Sequence, residues 1–101
     1  MSITGNTIRM QIAFKTFAGG VPSSDPLNIK LTIYDNEGAK VAEVVYPTSI
    51  VRVSMGVFYY DFVVPAGTSY LTYEWYGELE TKPVVDRGVI KREYVVVPNN
   101  L

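Results

Sequence analysis

The side chains able to do chemistry in this chain are carboxylates, hydroxyls and a few cations, because the sequence holds neither histidine nor cysteine. That removes the commonest general base and the commonest neutral metal ligand. Thiolate nucleophiles, disulfides and cysteine metal sites go with them. Two carboxylates could still hydrolyse a glycosidic bond, one protonating the leaving oxygen while the other attacks or activates water. Asp61 and Glu74 fall on strand-like segments with solvent-facing parity, and Glu78 and Glu80 share the segment 77–83 with Lys82. Nothing around them in the sequence would desolvate a carboxyl and raise its pKa. The expectation is therefore no catalytic residue, no metal ligand and no cofactor. Asp35, Asn36 and Glu37 offer oxygen ligands but lack the alternating spacing of a calcium loop, so "DNEG" reads as a turn. Arg87, Lys91 and Arg92 are the nearest approach to a basic cluster in a chain of net charge −1. That is too thin a footprint for nucleic acid and reads as protection of a sheet edge.

Tyrosine is the residue type in excess, with eight tyrosines and four phenylalanines among 101 residues. Much of that aromatic bulk is concentrated in "SMGVFYYDFVVPAG" (54–67). In a strand, Phe58, Tyr60, Phe62 and Val64 share one face, and Val57, Tyr59, Asp61 and Val63 share the other. The first set is bulky and regular and is expected to fill a core. The lone tryptophan, Trp75, is expected in or near that core. Asp61 marks the second set as wet. Tyr59, with Tyr76, Tyr34 and Tyr46, is expected on outer surfaces and forms the candidate interaction surface. The same tyrosines also fit cross-strand pairs that only stabilise a sheet, or a platform for stacking sugars.

The elements that must position these residues are strands. "TIRMQIAF" alternates Ile8, Met10, Ile12 and Phe14 with mostly polar neighbours, and "LNIKLTIY" alternates Leu27, Ile29, Leu31 and Ile33. Period-two alternation argues half-buried antiparallel strands. "AGGVPSSDP" (18–26) is a loop, "DNEG" a turn, "AKVAEVVY" a third strand, and "SIVRVS" a short edge strand or crossover. "VFYYDFVV", "YLTYEWY" and "VVDRGVIKREYVVV" come next, with 77–83 read as a hairpin loop and Gly88 as a bulge or break. About seven short strands at spacings of roughly 8–12 residues predict an all-β antiparallel sandwich, one domain over 1–101, with no significant helix. Mean hydropathy of +0.11 argues against disorder, and no apolar run is long enough to span a membrane. The first residues lack a secretory signal pattern, which gives the cytoplasm as the expected place of synthesis.

"VPAGTSYLTYEW" resembles the corner of immunoglobulin-like and fibronectin type III domains, where a strand ends and a tyrosine opens the next. The resemblance implies that Tyr70 bonds back to backbone near 64–67. A wider resemblance rests on "DPLNIKLTIYDNEG", "VRVSMGVFYYDFVVP" and "YEWYGELETKPVVDRGVIKREYVV", through Arg52, Ser54, Gly56, Tyr59, Tyr60, Pro65, Trp75 and Gly77. These stretches, spanning about Asp25 to Val96, are similar to small proteins encoded by tailed bacteriophages and prophages of Gram-positive bacteria. The resemblance implies an immunoglobulin-like virion structural protein, either a capsid decoration or a head–tail component. It would be made in the host cytoplasm, homo-oligomeric or particle-bound, and in contact with capsid or connector proteins rather than nucleic acid or membrane. The alternative from the residues is a carbohydrate- or cell-surface-binding sandwich. Donation of strand 84–97 to a neighbouring copy is conceivable on the strength of Gly88 and the terminal "VVVPNNL".

Overall fold

The computed structural model describes residues 6–16, 18–22, 24–65 and 70–90. Its strands are β1 (Asn6–Ala13), β2 (Leu27–Tyr34), β3 (Lys40–Val45), β4 (Val51–Ser54), β5 (Val57–Val64), β6 (Leu71–Leu79) and β7 (Lys82–Ile90). They form two open antiparallel sheets, ordered β1-β5-β4 and β3-β2-β6-β7, and no helix occurs among the described residues. The arrangement is sandwich-like, because both sheets turn their alternating apolar rows to one shared core. Met10, Ile12 and Phe62 come from the three-stranded sheet, and Ile29, Leu31, Ile33, Leu71 and Trp75 from the other. Phe58 is fully buried and meets Phe14 edge-on at 6.1 Å and Tyr46 at 5.0 Å between ring centroids. Burial of each such side chain stabilises the fold by about 1.5–3 kcal/mol.

Three local features depart from the simple alternation. Leu27 is 68% exposed rather than in line with Ile29, Leu31 and Ile33. The register with β6 shifts between Leu27 and Lys30, and Asn28 there has φ 54°. The extra residue of this bulge rotates Leu27 off the core row, and asparagine tolerates the left-handed conformation it needs. Segment 77–83 is not a loop: β6 runs to Leu79, and only Glu80 and Thr81, with φ 52° and 65°, separate it from β7. Positive φ at both positions is the primed-turn geometry that matches strand twist. Gly88 neither bulges nor breaks β7, whose register with β6 is continuous from Lys82 to Ile90. It faces Tyr73, whose ring would overlap any Cβ placed there, so the glycine makes room for that ring. Residues 84–90 pair with β6 of their own chain, and 91–97 lie outside the described residues.

One end of the sandwich is closed by a set of contacts around the buried Phe14. The Phe14 N–H donates to the carbonyl of Gly56 at 2.7 Å. The Gly56 N–H donates to Asp25 Oδ1 at 2.9 Å, and Asp25 Oδ2 accepts from Arg52 Nε at 2.7 Å. Gly77 lies against the ring of Phe14 and against Pro26. Arg52, Gly56 and Gly77, three of the positions that carry the phage-protein resemblance, thus meet at one structural joint.

Candidate functional site

The register of the four-stranded sheet decides which exposed side chains share a surface. Across its outer face run the rows Val45–Lys30–Tyr76–Val85, Glu43–Thr32–Glu74–Arg87, and Tyr34–Thr72–Val89. Val45 and Val85 are each 43% exposed and Val89 58%, so apolar surface flanks the tyrosines at both ends of the sheet. Tyr34, Thr72, Glu74, Arg87 and Val89 line a shallow groove of about 450 Å³. A second, of about 240 Å³, lies between Asn28, Lys30, Val45, Tyr46 and Tyr76.

Charged and polar contacts hold this face in shape. Tyr76 donates its hydroxyl to Glu78 Oε2 at 2.7 Å, and Asn28 Nδ2 donates to Glu78 Oε1 at 3.1 Å. The hydrogen bond to Glu78, helped by partial burial, pushes the Tyr76 phenol above its ordinary pKa, so it stays a neutral donor. The Lys30 ammonium lies 5.7 Å from the Tyr76 ring centroid. Glu43 accepts from Lys40 at 3.2 Å and pairs with Lys30 at 3.5 Å, and Arg87 Nε meets Glu74 Oε2 at 2.6 Å. Each exposed pair adds little stability, but together they fix the directions in which Tyr76, Lys30 and Arg87 point.

The four tyrosines expected on outer surfaces do not form one site. Tyr34 and Tyr76 share the face just described. Tyr59 lies on the outer face of the three-stranded sheet, with the Arg9 guanidinium 3.9 Å from its ring centroid. Arg9 in turn holds Asp61, directly opposite on β5, through bonds of 2.8 and 3.0 Å. Tyr46 is partly buried: it packs on Phe58 at the core margin and also lines the groove beside Tyr76. Just past β3, with its N–H bonded to the Ile29 carbonyl at 3.1 Å, it continues the inward parity of Ala42 and Val44. Of the residues given structural roles, Trp75, Phe58 and Phe62 are buried and Tyr60 packs partly buried against them. Tyr70 is 50% exposed, and the corner it was expected to bond across includes 66–69, which lie outside the described residues.

The acids are engaged with partners of other kinds. Asp61 holds Arg9, Glu74 holds Arg87, and Glu78 holds Tyr76 and Asn28. Asp35 Oδ1 accepts the N–H groups of Glu37 and Ala39, both at 2.8 Å, which shapes the "DNEG" turn. Among the described residues no group of three acidic side chains is placed to hold a metal ion. Sequence reasoning missed Asn28, Lys30, Glu78, Val45, Val85 and Val89 as neighbours of Tyr76 or Tyr34. The only signal available was their shared outward parity, which says nothing about register.

The ion pairs make stability depend on pH. The Arg9 hydrogen bond holds the Asp61 carboxyl below the ordinary carboxylate range, and the Lys40 hydrogen bond does the same for Glu43. Groups depressed in the folded state stabilise it above their unfolded pKa and lose that contribution as pH falls through the folded value. The thermal midpoint is therefore expected to fall between about pH 4 and pH 2, and less steeply in Asp61→Asn, as read by circular dichroism melts. An unchanged slope in that variant would show the pair to be energetically idle.

No family model matches the sequence, and neither the curated proteins nor the solved structures contain a match.

Proposed function

We propose that this chain is a non-enzymatic assembly domain of a tailed-phage virion, a capsid decoration or head–tail component with an immunoglobulin-like sandwich. The immunoglobulin-like reading is supported by strand order. With β1 taken as strand B, the sheets β1-β5-β4 and β3-β2-β6-β7 correspond to B-E-D and C′-C-F-G. The single observation that carries the binding role is the outer face of β3-β2-β6-β7. Tyr34, Tyr76, Val45, Val85 and Val89 lie there on one surface, framed by ion pairs. Half-buried tyrosine and exposed valine held on a sheet bind with little loss of side-chain entropy, and many copies on a particle multiply a weak contact by avidity. The virion assignment rests on the phage-protein resemblance over about Asp25 to Val96.

Quantitative mass spectrometry of purified particles tests it. A copy number tracking the major capsid protein indicates a decoration, and a few copies per particle a neck or tail ring. Absence from particles overturns the assignment.

A second reading has its own observation. Tyr76 stands with Asn28, Glu78 and Lys30 around one groove, the mixture of ring face and fixed polar groups that sugars bind. On that reading Tyr76→Ala abolishes binding on a glycan array while leaving the melting curve nearly unchanged. On the assembly reading the same variant leaves particle incorporation reduced, and neither form binds a glycan.

A further inference from the structure

The outer face of β3-β2-β6-β7 carries its charges in a particular order. Glu43, Glu74 and Glu78 are matched there by Lys30, Lys40 and Arg87. In the row Glu43–Thr32–Glu74–Arg87, an acid stands at the β3 margin and a base at the β7 margin. The Arg87 side chain is 73% exposed although its Nε holds Glu74, so its guanidinium has surface left for a second carboxylate. In the row beside it, Val45 and Val85 at the two margins bracket Lys30 and Tyr76. Such a face is complementary to itself, in one orientation only.

We propose that this face binds the same face of a second copy of the chain, about a twofold axis that runs parallel to the strands between β2 and β6. That axis lays β3 over β7 of the second copy and β2 over its β6, with each row on the same row. Glu43 then faces Arg87 of the second copy at both margins, Val45 faces Val85, and Lys30 faces the Tyr76 ring. Like charges do not meet in these rows. An axis across the strands, through the middle row, would instead set Glu43, Glu74 and Arg87 each on its own counterpart, which costs affinity. Twisted sheets packed face to face cross at about 30°, so the match is kept best beside the axis, at Lys30 and Tyr76. Four strands about 4.8 Å apart, over residues 72–78 of β6 at about 3.3 Å each, present roughly 450 Å² per copy. Two such faces bury roughly 900 Å², at the low end for a specific contact, so the dimer is weak and concentration-dependent. The inference rests on the reading of this face as the binding surface, and not on the virion assignment.

Glu43→Arg and Arg87→Glu, made separately and then mixed, test it by sedimentation equilibrium. The native chain is expected to dimerise reversibly as its concentration rises. Each variant alone sets like charges together at both margins, and its dissociation constant should rise at least about tenfold. An equal mixture should recover dimers to within about threefold of native. There the two exchanged residues meet at one margin, and native Glu43 meets native Arg87 at the other. Both positions are exposed, so circular dichroism should show the fold intact. A native dimer whose variants fail to recover on mixing would overturn the proposal by placing the contact elsewhere on the chain. A native chain that stays monomeric to millimolar concentration would also overturn it. If Tyr76→Ala then still lowers incorporation into particles, a different virion protein covers the face and the assembly reading survives alone.

Discussion

Gly77→Val is expected to unfold the domain under conditions where the native chain is fully folded. Gly77 is buried near the end of the inner strand β6, opposite Val84. A Cβ there would stand 2.8 Å from Phe14 Cε1, 3.0 Å from Cζ and 3.2 Å from Pro26 Cβ. The ring cannot retreat freely. Phe14 is tied through its N–H to Gly56, and its ring meets Phe58 edge-on in the core. A single added methyl in so tight a place costs about 1–3 kcal/mol. The branched side chain of valine adds two more methyls, and about 4 kcal/mol or more is expected, against a typical total stability of about 5–15 kcal/mol. At roughly 4–8 °C per kcal/mol, the melting midpoint drops by about 15–30 °C. Urea denaturation followed by Trp75 fluorescence measures it. A double-variant cycle names the obstacle: Gly77→Ala combined with Phe14→Leu should lose less than the sum of the two single losses, because the smaller side chain vacates the space. Strict additivity would show that the Phe14 ring is not what excludes a side chain at 77.

How far the sequence leads depends on whether a feature is periodic. The alternation in "VFYYDFVV" separates buried Phe58 and Phe62 from exposed Asp61 and Val63 without any knowledge of partners. The same parity brings Ile29, Leu31 and Ile33 to the core. Leu27 escapes the pattern because one left-handed asparagine inserts a residue, and nothing in "PLNIK" distinguishes that bulge from continuous strand. The tight turn at Glu80–Thr81 is equally hidden, since neither residue is the glycine or asparagine that usually announces positive φ. The candidate surface is a further step away. Tyr34, Tyr59 and Tyr76 all carry outward parity, yet only the order of strands places Tyr59 on the opposite sheet and sets Tyr76 beside Lys30 and Val85. Tyr46, just beyond β3, continues the inward parity of Ala42 and Val44, which the sequence alternation "VAEVVY" already carried, and its ring sits at the core margin.

Gly56→Ala tests whether the joint at Phe14 is held by backbone as well as by packing. Gly56 has φ 78°, a conformation that costs an L-residue about 1–2 kcal/mol. That alone would be tolerable. The added Cβ, however, would lie 2.9 Å from the Phe14 carbonyl oxygen and 3.0 Å from Pro22 Cγ. The first of these is backbone and cannot rotate away. It belongs to the same residue whose N–H donates to Gly56, so moving it breaks the 2.7 Å bond between them. Shifting Gly56 instead pulls its N–H from Asp25, whose carboxylate also holds Arg52 on β4. Strain and clash together are expected to cost about 3 kcal/mol. Gly38→Ala provides the control. Gly38 has φ 85° but no atom within 4 Å of a built Cβ, so it carries the conformational cost without the obstruction. Chemical denaturation should place Gly56→Ala at least about 1–2 kcal/mol below Gly38→Ala, the difference being the overpacking term. Equal losses would mean that the loop before β2 moves aside at no cost. The contacts of Asp25, Arg52 and Gly56 would then decorate the end of the sandwich rather than fix Phe14 in its core.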